Sequence, residues 1–205
     1  MRRTREQAHE EALAKAQADL RNLEPFQTAY KAGCDYHEQP KGGEFDLTFF
    51  GEQYVVTYPD VSVRGVAGAT PDIAIRLLIL HYLIQADGTP PAEQWIAFRE
   101  LPDGRVYDPA FQGRSALRLK EKFGLDVAAF SAAATALGGD RLEFGDASYM
   151  FKLFPRLRMA VVLHAGDEEF GPAVNILFDG SAGHYLPTED LAVLGGLLTS
   201  KLLKA

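Results

Sequence analysis

Two short stretches of this chain gather side chains that bind metals or move protons. His164-Ala165-Gly166-Asp167-Glu168-Glu169 places one imidazole and three carboxylates between two apolar segments, a donor set suited to hard or borderline divalent cations. A metal held by His164, Asp167, Glu168 and Glu169 would lower the pKa of a bound water, and a carboxylate would take its proton; that is the chemistry of a metal-dependent hydrolase. The competing account is a solvated hairpin loop whose charges keep its tip in water. Asp179, His184, Glu189 and Asp190 form the second group. Glu189 and Asp190 fall in the first turn of a helix, where carboxylates stabilise the positive end of the dipole without any catalytic task, and Asp179-Gly180 is turn chemistry. Geometry resists a single two-metal centre drawn from both groups. If 159–164 and 173–178 pair as a hairpin, His164 lies beside Ala173 and Asp179 sits at the far end, on the order of 20 Å away at about 3.3 Å per residue.

A third group suits a small molecule. The segment 71–86 is apolar nearly all round, with Asp72 and Arg76 on one side and His81 and Gln85 on the other. That pattern buries a helix and points His81 into protein. On a strand over 94–101, Trp95 and Arg99 share a face, so His81, Trp95 and Arg99 are candidates to line an apolar pocket with polar anchors for a small anionic ligand or a metal ion. The alternative is an ordinary core aromatic, with His81 and Arg99 satisfied by neighbours. The loop from Gly65 to Thr70 runs into a helix N-terminus, where unpaired N–H groups attract anions. It lacks both the Gly-Lys-Ser/Thr ending of a P-loop and the Gly-x-Gly-x-x-Gly fingerprint. Cys34 and His37 offer a thiol and an imidazole, but no second pair completes a tetrahedral zinc site. Gly-x-Ser-x-Gly, His-Glu-x-x-His and Cys-x-x-Cys are absent, although catalytic groups that meet only in three dimensions leave no such trace. The residues leave open whether the chain is an enzyme.

The elements that must position these groups follow from periodicity. Residues 4–23 form a helix with the stripe Leu13, Ala16, Leu20 and Leu23, which docks on the body or on a partner. Pro25 ends it, and 26–33 add a short second helix. Alternation over 44–50 and 53–58 around Gly51-Glu52 predicts a hairpin, with a further short strand at 61–63. Thr70 as N-cap, Pro71 at the first turn and Asp72 at the positive end of the dipole start the helix over 71–86. The strand over 94–101 turns at Pro102-Asp103-Gly104-Arg105 and returns through Val106-Tyr107. Helices near 111–123 and 126–137 follow, then strands at 148–154, 159–164 and 173–178. The middle one is apolar on both faces and therefore central in its sheet. Pro187-Thr188-Glu189-Asp190 cap a last helix that runs to Leu203, with Leu191, Leu194, Leu198 and Leu202 on one stripe. Clustered strands and helices indicate an α+β fold: mainly antiparallel sheet built of hairpins, packed against a buried central helix and a C-terminal helix. Residues 1–24 read as an N-terminal helix and 25–205 as a single α+β domain.

Composition narrows the functions available. The net charge of −7 opposes binding to a nucleic-acid backbone, which needs clustered Lys and Arg. The one internal basic run, Arg114, Arg118, Lys120 and Lys122, reads as a solvated helix face. A single cysteine rules out an intrachain disulfide or an iron–sulfur cluster held by this chain alone and suits a reducing, cytoplasmic setting. The basic start is followed by polar and Ala-rich residues, so export is not expected. The longest apolar run, 73–84, is interrupted and shorter than the roughly 20 residues of a membrane span.

Leu80-His81-Tyr82-Leu83, Trp95-Ile96-Ala97-Phe98-Arg99-Glu100-Leu101-Pro102, Leu153-Phe154-Pro155-Arg156, Gly166-Asp167-Glu168-Glu169-Phe170, and Ile176-Leu177-Phe178-Asp179 with Leu186-Pro187-Thr188-Glu189-Asp190 occur in this order. As a set they resemble a prokaryotic family known only as domain of unknown function 3786, over most of the chain after Leu23. The resemblance implies a bacterial or archaeal protein, often from anaerobes, with some relatives carrying a fused iron–sulfur domain and linked to one-carbon or corrinoid metabolism; this chain has no such domain. It implies no site residues. The reading is an accessory protein that binds a small anionic ligand or a metal. The alternatives are the hydrolase built on 164–169 and a structural protein that self-associates or captures a partner through its N-terminal helix.

Overall fold

The computed structural model describes residues 5–65, 68–166 and 169–205. It is an α+β fold with two antiparallel sheets, and the chain divides into two compact units. The first comprises the described residues up to Pro90 together with Leu153–Arg156 and His184–Leu186; the second comprises Pro91–Lys152, Leu157–Gly183 and Pro187–Ala205.

In the first unit α1 (Arg5–Arg21) and α2 (Pro25–Ala32) precede a sheet of order β1-β2-β3-β4, formed by Asp35–Gln39, Gly42–Phe49, Glu52–Tyr58 and Val63–Gly65. Strand β2 alternates as its sequence requires, with Phe45, Leu47 and Phe49 buried. Helix α1 packs on α3 (Ile73–Gln85), burying Ala16 and Leu20 of its apolar stripe. The Glu24 carboxylate accepts the N–H groups of Phe26 and Gln27 and so caps α2. Gly33 closes that helix at φ 69°, a left-handed conformation that glycine adopts without strain.

Two features differ from the sequence-based expectation. Strand β1, pairing Asp35 with Asp46 and Tyr36 with Phe45, has no apolar alternation because it is an edge strand, where charged residues are tolerated and guard against aggregation. Helix α3 is capped by Asp72, not Thr70, and no side-chain hydrogen bond is made at that cap. The Gly65 N–H donates to Ala69 O at 2.9 Å and 70–72 form a connection outside the helix; Val66 and Ala67 of the expected anion loop lie outside the described residues.

A sheet of order β5-β9-β8-β7-β6 is formed by Trp95–Ala97, Ala173–Asp179, Leu157–His164, Ala147–Phe154 and Asp140–Leu142, all in the second unit except Leu153 and Phe154 at the end of β7. Strand β8 is central, as its apolar run predicts, with residues 159–163 all buried. Helices α4 (Gly104–Arg114), α5 (Ala116–Phe123) and α6 (Val127–Ala136) follow β5, and α7 (Thr188–Leu202) closes the chain with Leu191, Leu194, Leu198 and Leu202 buried. The strand expected over 94–101 ends at Ala97. There the Glu100 carboxylate accepts the Ala97 N–H at 2.7 Å, and Phe98–Glu100 wind into a 3₁₀ turn. Val106 and Tyr107, expected in a return strand, lie in α4 instead. Ser115, at φ −132° and ψ −89°, separates α4 from α5 where one helix was expected. Among the described residues no helix is long and apolar enough to cross a membrane.

Candidate functional site

The first unit contains a cavity of about 220 Å³ between α1, β4 and α3, lined by Gln17, Ser62, Arg64, Thr70 and Arg76 and closed on its apolar side by Leu13, Val63 and Leu80. At about 30 Å³ per water in the liquid, that is room for several waters or a small hydrated anion. Local folding explains why these groups meet. Strand alternation buries Val63 and leaves Arg64, opposite Val55 of β3, on the other face. On α3, Arg76 and Leu80 are one helical turn apart and reach the same space. Gln17 Nε2 donates to Val61 O at 2.8 Å, fixing α1 to the β3–β4 connection. Within that connection the Ser62 hydroxyl lies 2.9 Å from Thr57 Oγ1.

Electrostatically the site is cationic in a chain whose net charge is −7. Arg64 is exposed and Arg76 half-buried. Among the described residues neither guanidinium is paired with a carboxylate. The Nε of Arg76 is buried and has no hydrogen-bond partner within the protein. Leaving such a donor unsatisfied costs about 1–3 kcal/mol, and more than nine in ten buried polar groups avoid it. The arrangement can receive an oxyanion: guanidinium N–H groups match carboxylate or phosphate oxygens two at a time, and the hydroxyl of Thr70 adds a short, reorientable donor.

The residues singled out by sequence fall elsewhere. His81 is half-buried on α3 in the first unit; Trp95 is half-buried on β5 and Arg99 is exposed in the 3₁₀ turn, both in the second unit. Because the strand ends at Ala97, Trp95 and Arg99 do not share a strand face. His164 is exposed at the end of β8 opposite Ala173, and Glu169 is exposed, while Asp167 and Glu168 lie outside the described residues. The register therefore places His164 and Asp179 at opposite ends of the β8–β9 hairpin, as the pairing argument required. Asp146, which the sequence did not connect with this loop, accepts the Ala165 N–H at 2.8 Å. Among the described residues no group of three or more His, Cys, Asp or Glu side chains is placed to hold a metal ion.

In the second acidic group, Asp179 is buried and accepts the N–H groups of Ala92 and Ser181 and the Ser181 hydroxyl. Burial works against its ionisation, but these hydrogen bonds outweigh it and leave the carboxyl below its ordinary value. Asp179 anchors the chain around β5. His184 belongs to the first unit, where its Nδ1 lies 2.7 Å from Asp87 Oδ2. Hydrogen bonding from Thr89, and then from His184, holds the Asp87 carboxyl at about 2. The Cys34 thiol is pushed up to about 12 by burial first and the neighbouring Asp35 charge second. His37 instead lies 3.1 Å from Asp46 across the strand pair.

Residues 24–201 match the family described as domain of unknown function (DUF3786), and the chain belongs to that family. Ser62, Arg64, Thr70 and Arg76 fall inside the matched span, and α1 falls outside it. No curated protein and no solved structure matches the chain.

Sequence reasoning passed over both arginines. Arg76 was visible only as an interruption of an apolar helix, and that interruption was itself the signal, since an arginine within an otherwise buried face requires a partner. Arg64 carried no signal, because only the β3–β4 turn brings it to the cavity that Arg76 also lines.

Proposed function

We propose that this chain is a ligand-binding protein whose first unit holds a small oxyanion between Arg64 and Arg76. Two arginines that line one cavity and pair with no carboxylate among the described residues carry the reading. A carboxylate or phosphate in the cavity would pair with guanidinium N–H groups of Arg76 and Arg64, and the Thr70 hydroxyl would add to its shell. The chemistry is recognition: two guanidiniums supply charge and paired N–H donors that match the oxygens of a carboxylate or phosphate. Binding to the folded state alone raises stability by RT ln(1 + [L]/Kd), about 2.7 kcal/mol at a hundredfold excess over Kd.

The test is the melting temperature of the full chain in orthophosphate, in acetate, and in chloride at matched ionic strength. One of the oxyanions should raise it where chloride does not, and Arg76→Gln should remove the effect. Equal response to all three salts, or an undiminished response in Arg76→Gln, would contradict the reading.

A further inference from the structure

A groove of about 300 Å³ runs between α4 and α7 in the second unit, and nothing in the first unit's site uses it. Its floor is aromatic: Phe98 and Phe111 are buried and stacked at 4.2 Å with planes 11° apart. Its α7 wall carries a partly exposed Val193 and then Gly196. Two consecutive glycines inside a helix are unusual, since each costs about 1 kcal/mol relative to alanine. Gly195 has a packing reason: a Cβ there would lie 2.5 Å from Phe111 Cε2. Gly196 has none, for a Cβ there would meet nothing within 4 Å. What its missing side chain leaves is open space in the groove.

The rim supplies the second observation. Arg114 ends α4 and Glu189 lies in the first turn of α7; both line the groove and both are exposed. Among the described residues neither makes an ion pair. An anion entering this groove would meet Glu189, and a cation would meet Arg114. A molecule with both charges and an apolar body suffers neither conflict. We infer that the groove binds a free amino acid with an aromatic or branched aliphatic side chain. Its carboxylate lies on Arg114, its ammonium on Glu189, and its side chain against Phe111, Tyr107 and Val193 in the space left by Gly196.

Calorimetric titration of the full chain with phenylalanine, 3-phenylpropionate and phenethylamine tests this, because the last two each lack one charge. Phenylalanine should bind roughly tenfold or more tighter than either, the factor expected for one lost charge-assisted hydrogen bond. Arg114→Gln should abolish the preference over phenethylamine, and Glu189→Gln the preference over 3-phenylpropionate. Gly196→Leu, which fills the groove from an unobstructed helix position, should abolish binding without lowering the melting temperature. The inference is overturned if phenylalanine does not bind at millimolar concentration, if the three compounds bind alike, or if Gly196→Leu binds as the parent does. Orthophosphate response through Arg76 is read separately, so failure of one site does not decide the other.

Discussion

The glycine pair in α7 yields a prediction whose sign differs at adjacent positions. Alanine is favoured over glycine in a helix interior by about 0.8–1.0 kcal/mol. At Gly196 the new methyl meets nothing within 4 Å, so Gly196→Ala should realise most of that gain and raise the melting temperature by about 2–4 °C for a chain of this size. At Gly195 the same methyl would sit 2.5 Å from Phe111 Cε2, 3.0 Å from its Cζ and 3.5 Å from Met159 Cε. Phe111 cannot swing aside freely, being buried against Phe98 and 5.8 Å from the Phe178 ring. Overpacking of that kind costs about 1–3 kcal/mol, which offsets or exceeds the helix gain. The two variants should therefore differ by about 1–3 kcal/mol in urea unfolding at unchanged m-value, with Gly195→Ala the weaker. Combining Gly195→Ala with Phe111→Leu should shrink the clash and show as a favourable coupling in the double-mutant cycle. Gly195→Ala at or above the stability of Gly196→Ala would refute the packing argument.

The first unit supplies three further expectations. Tyr82 is buried, stacked on Phe154 at 4.2 Å, donates to Ala32 O at 2.6 Å and accepts the Arg156 N–H at 3.1 Å. Tyr82→Phe should thus cost about 1–3 kcal/mol in denaturant unfolding by orphaning both groups, and a neutral result would mean those backbone groups find other partners. The Asp87 carboxyl, held at about 2 in the folded chain, contributes stability above its ordinary value near 3.9 and loses it as pH falls toward 2. The stability difference between the parent and Asp87→Asn should be flat at neutral pH and shrink below about pH 4; a difference that grows with acid would contradict the sign. With Cys34 at about 12, its thiolate fraction near neutrality is lower than that of an ordinary cysteine by roughly a thousandfold. Iodoacetamide should label the native chain far more slowly than the urea-unfolded one, and comparable rates would refute that.

Where periodicity was strong the fold was legible. The alternation of Phe45, Leu47 and Phe49, the two-sided apolar run of β8 and the leucine stripe of α7 each state which face is buried, and packing obeyed them. Short polar edges were not legible: Asp35–Gln39 and Asp140–Leu142 are held by backbone pairing to neighbours, which leaves no mark on side-chain type. Val106-Tyr107 misled because two β-prone residues carry no period; both are exposed on α4, where propensity is overridden by the helix around them. The acidic loop drew attention through local density, yet local density is also what solubilises a hairpin tip. The anion cavity needs Arg64 and Arg76 brought together by a strand turn and a loop, and Asp87 with His184 spans 97 positions. Such pairs are made by tertiary structure, and spacing along the chain does not encode them.

The most direct test of the anion-binding reading is isothermal titration of the chelator-treated full chain with orthophosphate and with acetate, alongside Arg76→Gln and Arg64→Gln. The account predicts saturable binding of at least one of these oxyanions that survives removal of metal ions, weakens in Arg64→Gln and is lost in Arg76→Gln. Absence of binding by either anion, or binding that persists in Arg76→Gln, would contradict it.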